Sequence, residues 1–241
     1  MDNPLARKLE HFVRLSDADH LWLAAALGPT RTVAARTDIV EEGDDPTAVF
    51  VILDGWAGRY RQLADGRRQI VALLLPGDCC DPHVFLLDRR DHAITALTTV
   101  TLARIPGPAF LDLEARSPPL QEAFRRETLI TAAVQREGSV SLGRRSAIER
   151  MAHLFCELHV RLATVGLAAG NTYPMPLTQV DLADVLGQTA VHTNRVLHDL
   201  RAENLITLER RRLTIHDPAR LRELALFDPA YLHLTEHAVD R

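Results

Sequence analysis

The stretch "LTQVDLADVLGQTAVHTNRVLHDLRAENLI", Leu177 to Ile206, decides how the chain is read. Thr178 is a good N-cap and Asp181 stands where a capping box answers it. Leu182, Val185 and Leu186 give a short apolar face. Gly187 then ends the helix at a position where a left-handed residue costs least without a Cβ. Thr189 caps a second helix. On an ideal wheel Thr193, Val196, Leu197 and Leu200 share one arc, with Val191, His192, Arg195, His198 and Asp199 opposite and Asn194 on the flank. Two short helices across a Gly-containing turn, the second showing a mixed polar face, form the pattern of a helix-turn-helix.

Such a second helix fits the major groove, where side chains read base edges. Arg195 is the strongest reader, because its planar fork can grip guanine with two bonds, worth roughly 1–3 kcal/mol of discrimination. Asn194 suits adenine or a phosphate, Val191 a thymine methyl, and His192 completes the base-reading set. Thr178, Gln188, Thr189 and His198 are expected on the DNA backbone. The next segment, "LITL-ERRR-LTIH", alternates, turns and alternates again. It predicts a β-hairpin with Arg210, Arg211 and Arg212 at its tip, a wing whose guanidiniums meet phosphates. A capped helix pair is common in all-α domains, and a three-arginine turn alone is usually a solvated loop. The two in succession point to DNA.

Before this region the texture is helical. "SAIERMAHLFCELHVRLATVG" ends at Gly166, and "LAAGNTYPMP" is full of breakers and reads as a loop. Leu120 to about Leu142 contains no proline and predicts a long helix. Its stripe of Leu120, Phe124, Ile130 and Val134 either packs back on the preceding domain or pairs with a twin helix in a dimer. From Thr30 to Ile105 short β-branched runs alternate with breakers: "TRTVAA", "AVFVILDGWAGRYRQL", "RRQIVALLL" and "HAITALTTVTLARI". Asp65-Gly66 between two of them is a hairpin signal. The pattern predicts an antiparallel β-roll of jelly-roll type. Residues 5 to 27 read as helical, with Ser16 and Asp19 opening the second part and Gly28-Pro29 closing it. The fold class is therefore α+β. Its expected domains are a sensor roll with its N-terminal helix over 1–117, a connecting helix over 118–143, and a winged helix-turn-helix over 144–241.

Composition excludes several classes. The chain has 241 residues, 46% hydrophobic and 25% charged, with a formal charge of −4; basic character, where present, is local. There is no run of eighteen apolar residues, and the N-terminus reads as amphipathic helix rather than signal peptide. Three cysteines, Cys79, Cys80 and Cys156, make no disulfide framework, and a reducing cytoplasm is the simplest home. No nucleophile elbow, phosphate-cradling loop or dinucleotide fingerprint occurs, so no enzyme is expected.

Two constellations compete with this reading. "CCDPH" gathers Cys79, Cys80, Asp81 and His83, with His92 further on; it is either a metal- or thiol-dependent sensor or enzyme site, or two small apolar side chains at a turn. The spacing is not that of a metal site, and no metal is expected. "HLFCELH" puts His153, Cys156 and His159 at three-residue steps and reads as a helix edge with a buried cysteine.

A β-roll, a long helix and a winged helix-turn-helix, in that order, resemble the Crp/Fnr superfamily of bacterial transcription regulators. The resemblance rests on "LLPGDCC", on Leu177–Ile206 with "VHTNRVL" in particular, and on "RRLTI". It implies a homodimer on a near-palindromic site, two recognition helices in successive major grooves, and RNA polymerase as a further partner. It also implies an effector pocket in the roll, around Cys79, Cys80, Asp81, His83, Arg89, Arg90 and His92. In cyclic-nucleotide-binding members a Glu holds the ribose and an Arg the cyclic phosphate. Aligned on Gly77-Asp78, those positions fall at Pro82 and His92, followed by Ala93. Pro82 has no side-chain acceptor and His92 lacks a guanidinium fork, so cyclic AMP is not the expected effector, and the sequence assigns no cofactor. Iron–sulfur members carry a cysteine cluster near the N-terminus, whereas the first cysteine here is Cys79. Where family members show Arg and Glu on the reading helix, this chain has Ala190 and Val191.

Overall fold

A computed structural model describes residues 3–234. Two compact units form: one holds the described residues up to 61, 72–132 and the end from 233; the other holds 62–71 and 133–232.

The first unit begins with α1 (Pro4–Leu9) and α2 (Asp17–Ala26). Asn3 accepts the Leu5 N–H at 3.0 Å, and Ser16 with Asp19 forms the full capping box that starts α2. Eight short strands follow: β1 (Thr30–Val33), β2 (Asp38–Val40), β3 (Ala48–Asp54), β4 (Ala57–Gln62), β5 (Arg68–Leu74), β6 (Cys79–Cys80), β7 (Ala93–Ala96) and β8 (Val100–Pro106), with a 3₁₀ turn at Val84–Leu86. They make two four-stranded sheets of order β1-β8-β3-β6 and β2-β7-β4-β5, and the strand pairs run antiparallel. The expected roll is present.

Strand periodicity sorts the core into two layers. Val49, Val51, Ala103 and Ile105 face α1, α2 and the later helices; Ile52, Val100 and Leu102 face the space shared with Ile39, Ile94 and Ala96. The chain then enters α3 (Gly107–Arg116), a helix that the sequence reading left unassigned, and α4 (Pro118–Arg144). The Ser117 hydroxyl accepts the Leu120 N–H at 3.1 Å and donates to Asp19, which ties the start of α4 to that of α2. Leu120 and Phe124 are fully buried in the first unit's core and Ile130 packs against it. Leu120 and Phe124 thus pack back on their own chain, whereas Ile130 and Val134 further along the stripe are half-buried.

The second unit contains α5 (Ala147–Thr164), β9 (Thr172–Pro174), α6 (Gln179–Leu186), α7 (Ala190–Ala202), β10 (Ile206–Glu209), β11 (Arg212–Ile215), α8 (Pro218–Ala225) and a 3₁₀ turn at Pro229–Leu232. Strands pair in the order β10-β11-β9. The segment read as a loop therefore carries a strand. Tyr173 on β9 is fully buried and its hydroxyl donates to the Phe155 carbonyl at 2.8 Å.

Candidate nucleic-acid interface

Every cap expected for the helix pair forms. Thr178 accepts the Asp181 N–H at 3.2 Å, while the Asp181 carboxylate accepts the Thr178 N–H at 2.9 Å. Gly187 closes α6 with φ of 61°. A Cβ there would lie 3.0 Å from Leu142 and 3.4 Å from Gln69, so glycine is needed both for the left-handed backbone and for space. Thr189 accepts the His192 N–H at 3.2 Å and opens α7.

On α7 the wheel holds. Thr193, Val196, Leu197 and Leu200 are buried, whereas Val191, Asn194, Arg195 and His198 are exposed and His192 is half-buried. Val191 stands 74% exposed. Gln188 spends its amide N–H on the Thr193 hydroxyl at 3.0 Å, and that hydroxyl donates to the Thr189 carbonyl at 3.1 Å. Both bonds fix the turn against the first turn of α7.

α6 is held from outside by the β4–β5 hairpin tip, which belongs to the same unit. Arg68 grips Asp184 at 2.7 and 2.8 Å. Gln69 donates to the Val185 carbonyl at 3.1 Å, and Arg150 donates to the Leu186 carbonyl. Gln69 and Arg150 thereby satisfy carbonyls at a helix end that has no further turn to bond them. None of the three was singled out from the sequence; a long hairpin with Arg and Gln after its Asp-Gly turn was the only trace.

The wing is a two-residue hairpin between β10 and β11, with Glu209 facing Arg212. Arg210 and Arg211 occupy its corner with φ of 49° and 59°, the double left-handed geometry that normally selects Asn-Gly. Arg212 corrects the expected tip: it is the first residue of β11, beside the corner. All three arginines are exposed. Among the described residues no carboxylate pairs with Arg195, Arg210, Arg211 or Arg212. These are four unneutralised guanidiniums on one small unit of an acidic chain.

In the first unit the residues around "CCDPH" separate. Alternation along β6 sends Cys79 to the helix-side core and Cys80 to the inter-sheet core. Burial pushes both thiols up, Cys79 well above and Cys80 far above the ordinary thiol range, so neither is poised as a thiolate. Asp81 and His83 both adopt left-handed backbone, φ 53° and 68°, and point apart. His83 Nε2 lies 2.9 Å from Glu114. The exposed Arg89 pairs with Asp45 at 2.7 Å. Asp81 bonds His92 Nε2 at 2.9 Å and pairs with Arg59, and Arg90 Nη1 lies 3.8 Å away. The cysteine–histidine cluster of the metal or thiol reading does not assemble, and the described residues contain no group of three metal-type ligands. Arg59 was missed from the sequence, although it sits at an inward step of "AGRYRQ" on β4.

The winged helix-turn-helix behind a β-roll defines a DNA-binding regulator class, and comparison with known proteins agrees. Residues 149–224 match the Crp-like helix-turn-helix domain and residues 30–117 the cyclic nucleotide-binding domain. The nitrogen fixation regulation protein FixK of Bradyrhizobium diazoefficiens is 31% identical over 211 residues, covering 88% of this chain and 85% of the relative. The transcriptional activator protein FnrL of Cereibacter sphaeroides is 30% identical over 215 residues, covering 87% and 85%. In fold the chain is similar to FixK2 from Bradyrhizobium japonicum, with TM-score 0.70, 24% identity and coverage of 81% of this chain and 96% of that one. The chain belongs to the Crp/Fnr family of transcription regulators. It is a DNA-binding protein by family, and none of its helices among the described residues is long and apolar enough to cross a membrane.

Proposed function

We propose that the protein is a homodimeric, sequence-specific regulator that acts in the cytoplasm on a near-palindromic site. In this reading residues 1–117 are a sensor roll, 118–143 the connecting helix and 144–241 the DNA-binding part. Val191, His192, Asn194 and Arg195 read bases. Thr178, Gln188, Thr189 and His198 with Arg210, Arg211 and Arg212 contact the sugar–phosphate backbone. RNA polymerase is the expected further partner. The observation that carries the reading is the exposed, unneutralised Arg195 on the outer arc of α7, beside a wing whose corner is two arginines. Dimerisation is supported by α4: its buried stripe leaves Leu129 67% and Val140 48% exposed on a helix of 27 residues, about 40 Å long at 1.5 Å per residue. Two-fold symmetry then sets half-sites about 34 Å apart.

Fluorescence anisotropy on labelled duplexes tests the assignment. Arg195→Ala reduces the preference for the specific site over random DNA about tenfold or more, one lost bidentate base contact. Removing the wing arginines weakens specific and random DNA alike and flattens the salt dependence by about 0.9 per lost phosphate contact. Unchanged binding in both variants contradicts the assignment.

A further inference from the structure

The family model matched by the roll names a cyclic nucleotide, and the residues present do not fit one. Pro82 offers no side-chain acceptor for a ribose hydroxyl. His92, which replaces the phosphate-holding Arg of the nucleotide-binding members, spends Nε2 on Asp81 at 2.9 Å and Nδ1 on Asp91 at 2.6 Å. A carboxylate already stands among the cations that would meet a phosphate, and two anions side by side repel.

That carboxylate has the position of a ligand. Arg59 reaches it from β4, His92 from the start of β7 and Arg90 from the preceding loop. Arg90 is 2% exposed; its Nη2 donates to the Ala48 carbonyl at 2.8 Å, and its face lies over Phe50 at 5.8 Å. Arg59 Nε, Arg90 Nε and Arg90 Nη1 are buried without a hydrogen-bond acceptor. Two buried guanidiniums thus share one carboxylate and keep donors to spare. The backbone is bent to deliver it: Asp81 holds φ at 53°, a conformation that costs a non-glycine residue free energy and persists only where the surroundings impose it. A glycine would make the same turn without strain but would bring no anion.

We propose that Asp81 is a built-in counter-anion. Its carboxylate occupies the anion seat formed by Arg59, Arg90 and His92, so the seat is filled without an external anionic effector, and removing the carboxylate turns the seat into a site for a small carboxylate or phosphate. The inference concerns the roll alone and stands whether or not the DNA-reading assignment holds. Asp81→Gly is the discriminating variant, because it deletes the anion and keeps the left-handed turn.

Thermal melts of the full chain at constant ionic strength test it, with chloride replaced stepwise by formate or inorganic phosphate. The expected result is a lowered midpoint for Asp81→Gly that one of these anions raises saturably, by about 4 °C at a tenfold excess over its Kd. Wild type stays flat, and Asp81→Gly combined with Arg59→Ala gives no response. An Asp81→Gly protein that melts as wild type does, or that responds to neither anion, overturns the proposal. Calorimetric titration of wild type with inorganic phosphate and with cyclic AMP supplies a measurement that does not depend on the variant's folding. No saturable heat is expected. Saturable binding that Arg59→Ala abolishes shows the seat open to outside ligands and equally overturns it.

Discussion

At Arg210 and Arg211 the proposed contact with DNA carries a cost in backbone strain. Each adopts a positive φ that costs a non-glycine residue about 1 kcal/mol or more, in a corner that Asn-Gly would form without strain. Arg210→Asn with Arg211→Gly is therefore expected to stabilise the second unit by about 1–2 kcal/mol in urea melts, while DNA affinity falls and the salt slope drops by about 2. Stability and affinity moving in the same direction would contradict the wing assignment. His153 sets a second test. It is buried on α5 between Phe227 and Tyr231, with ring centroids 5.1 and 5.9 Å away, and 3.3 Å from Glu137. Burial, with the Arg145 charge adding to it, holds its pKa below 6.5, against the opposing pull of Glu157 and Glu137. The folded state thus favours neutral His153, and the unfolded chain takes up the proton first as pH falls. Its stabilising contribution is whole above about pH 6.5 and is lost progressively below it. Denaturant melts at pH 7.5 and 5.5 show that loss in wild type, and His153→Gln reduces it. Arg195 and the wing were legible because an exposed arc and an arginine turn are local patterns. His153 read only as a helix edge, because Glu137, Phe227 and Tyr231 reach it through tertiary packing.

Helices α6 and α7 show how much an element inherits from its own sequence. Thr178, Asp181, Gly187 and Thr189 set their starts and stops, and each performs the local role that its residue type allows. Gly187→Ala is expected to destabilise the second unit by about 1–2 kcal/mol from the left-handed backbone alone, with more from the 3.0 Å approach to Leu142. Urea melts check the value, and a neutral outcome would mean that the turn is not held as described. Elements built by partners rather than by local pattern were the ones missed. β9 is three residues among breakers and exists because Tyr173 pairs opposite Leu213 on β11. The β4–β5 tip was visible as a hairpin, but its grip on α6 depends on Arg68 meeting Asp184, 116 positions away. Arg59, at the heart of the anion seat, was hidden for the same reason. A buried arginine looks like an exposed one until its strand is paired.

The architecture as a whole was the most legible part, because a roll, a long helix and a winged helix-turn-helix each leave a different periodicity in the chain. What covers the outer face of α4 was not, since a helix stripe does not name its partner. If that face is the dimer seam, Leu129→Glu yields a monomer in sedimentation at concentrations where wild type is a dimer, and it lowers affinity for the two-half-site duplex by tenfold or more, because one recognition helix loses its tether. A dimeric Leu129→Glu protein with unchanged affinity would place the seam elsewhere. The most direct measurement selects bound sequences from a random duplex pool with wild type and with Arg195→Ala in parallel. The account predicts that wild type enriches a two-fold-symmetric motif whose half-site centres lie about 10 base pairs apart, with a guanine that loses its enrichment in both halves only in the Arg195→Ala pool. An identical motif from the two proteins, or no motif from wild type, would contradict it.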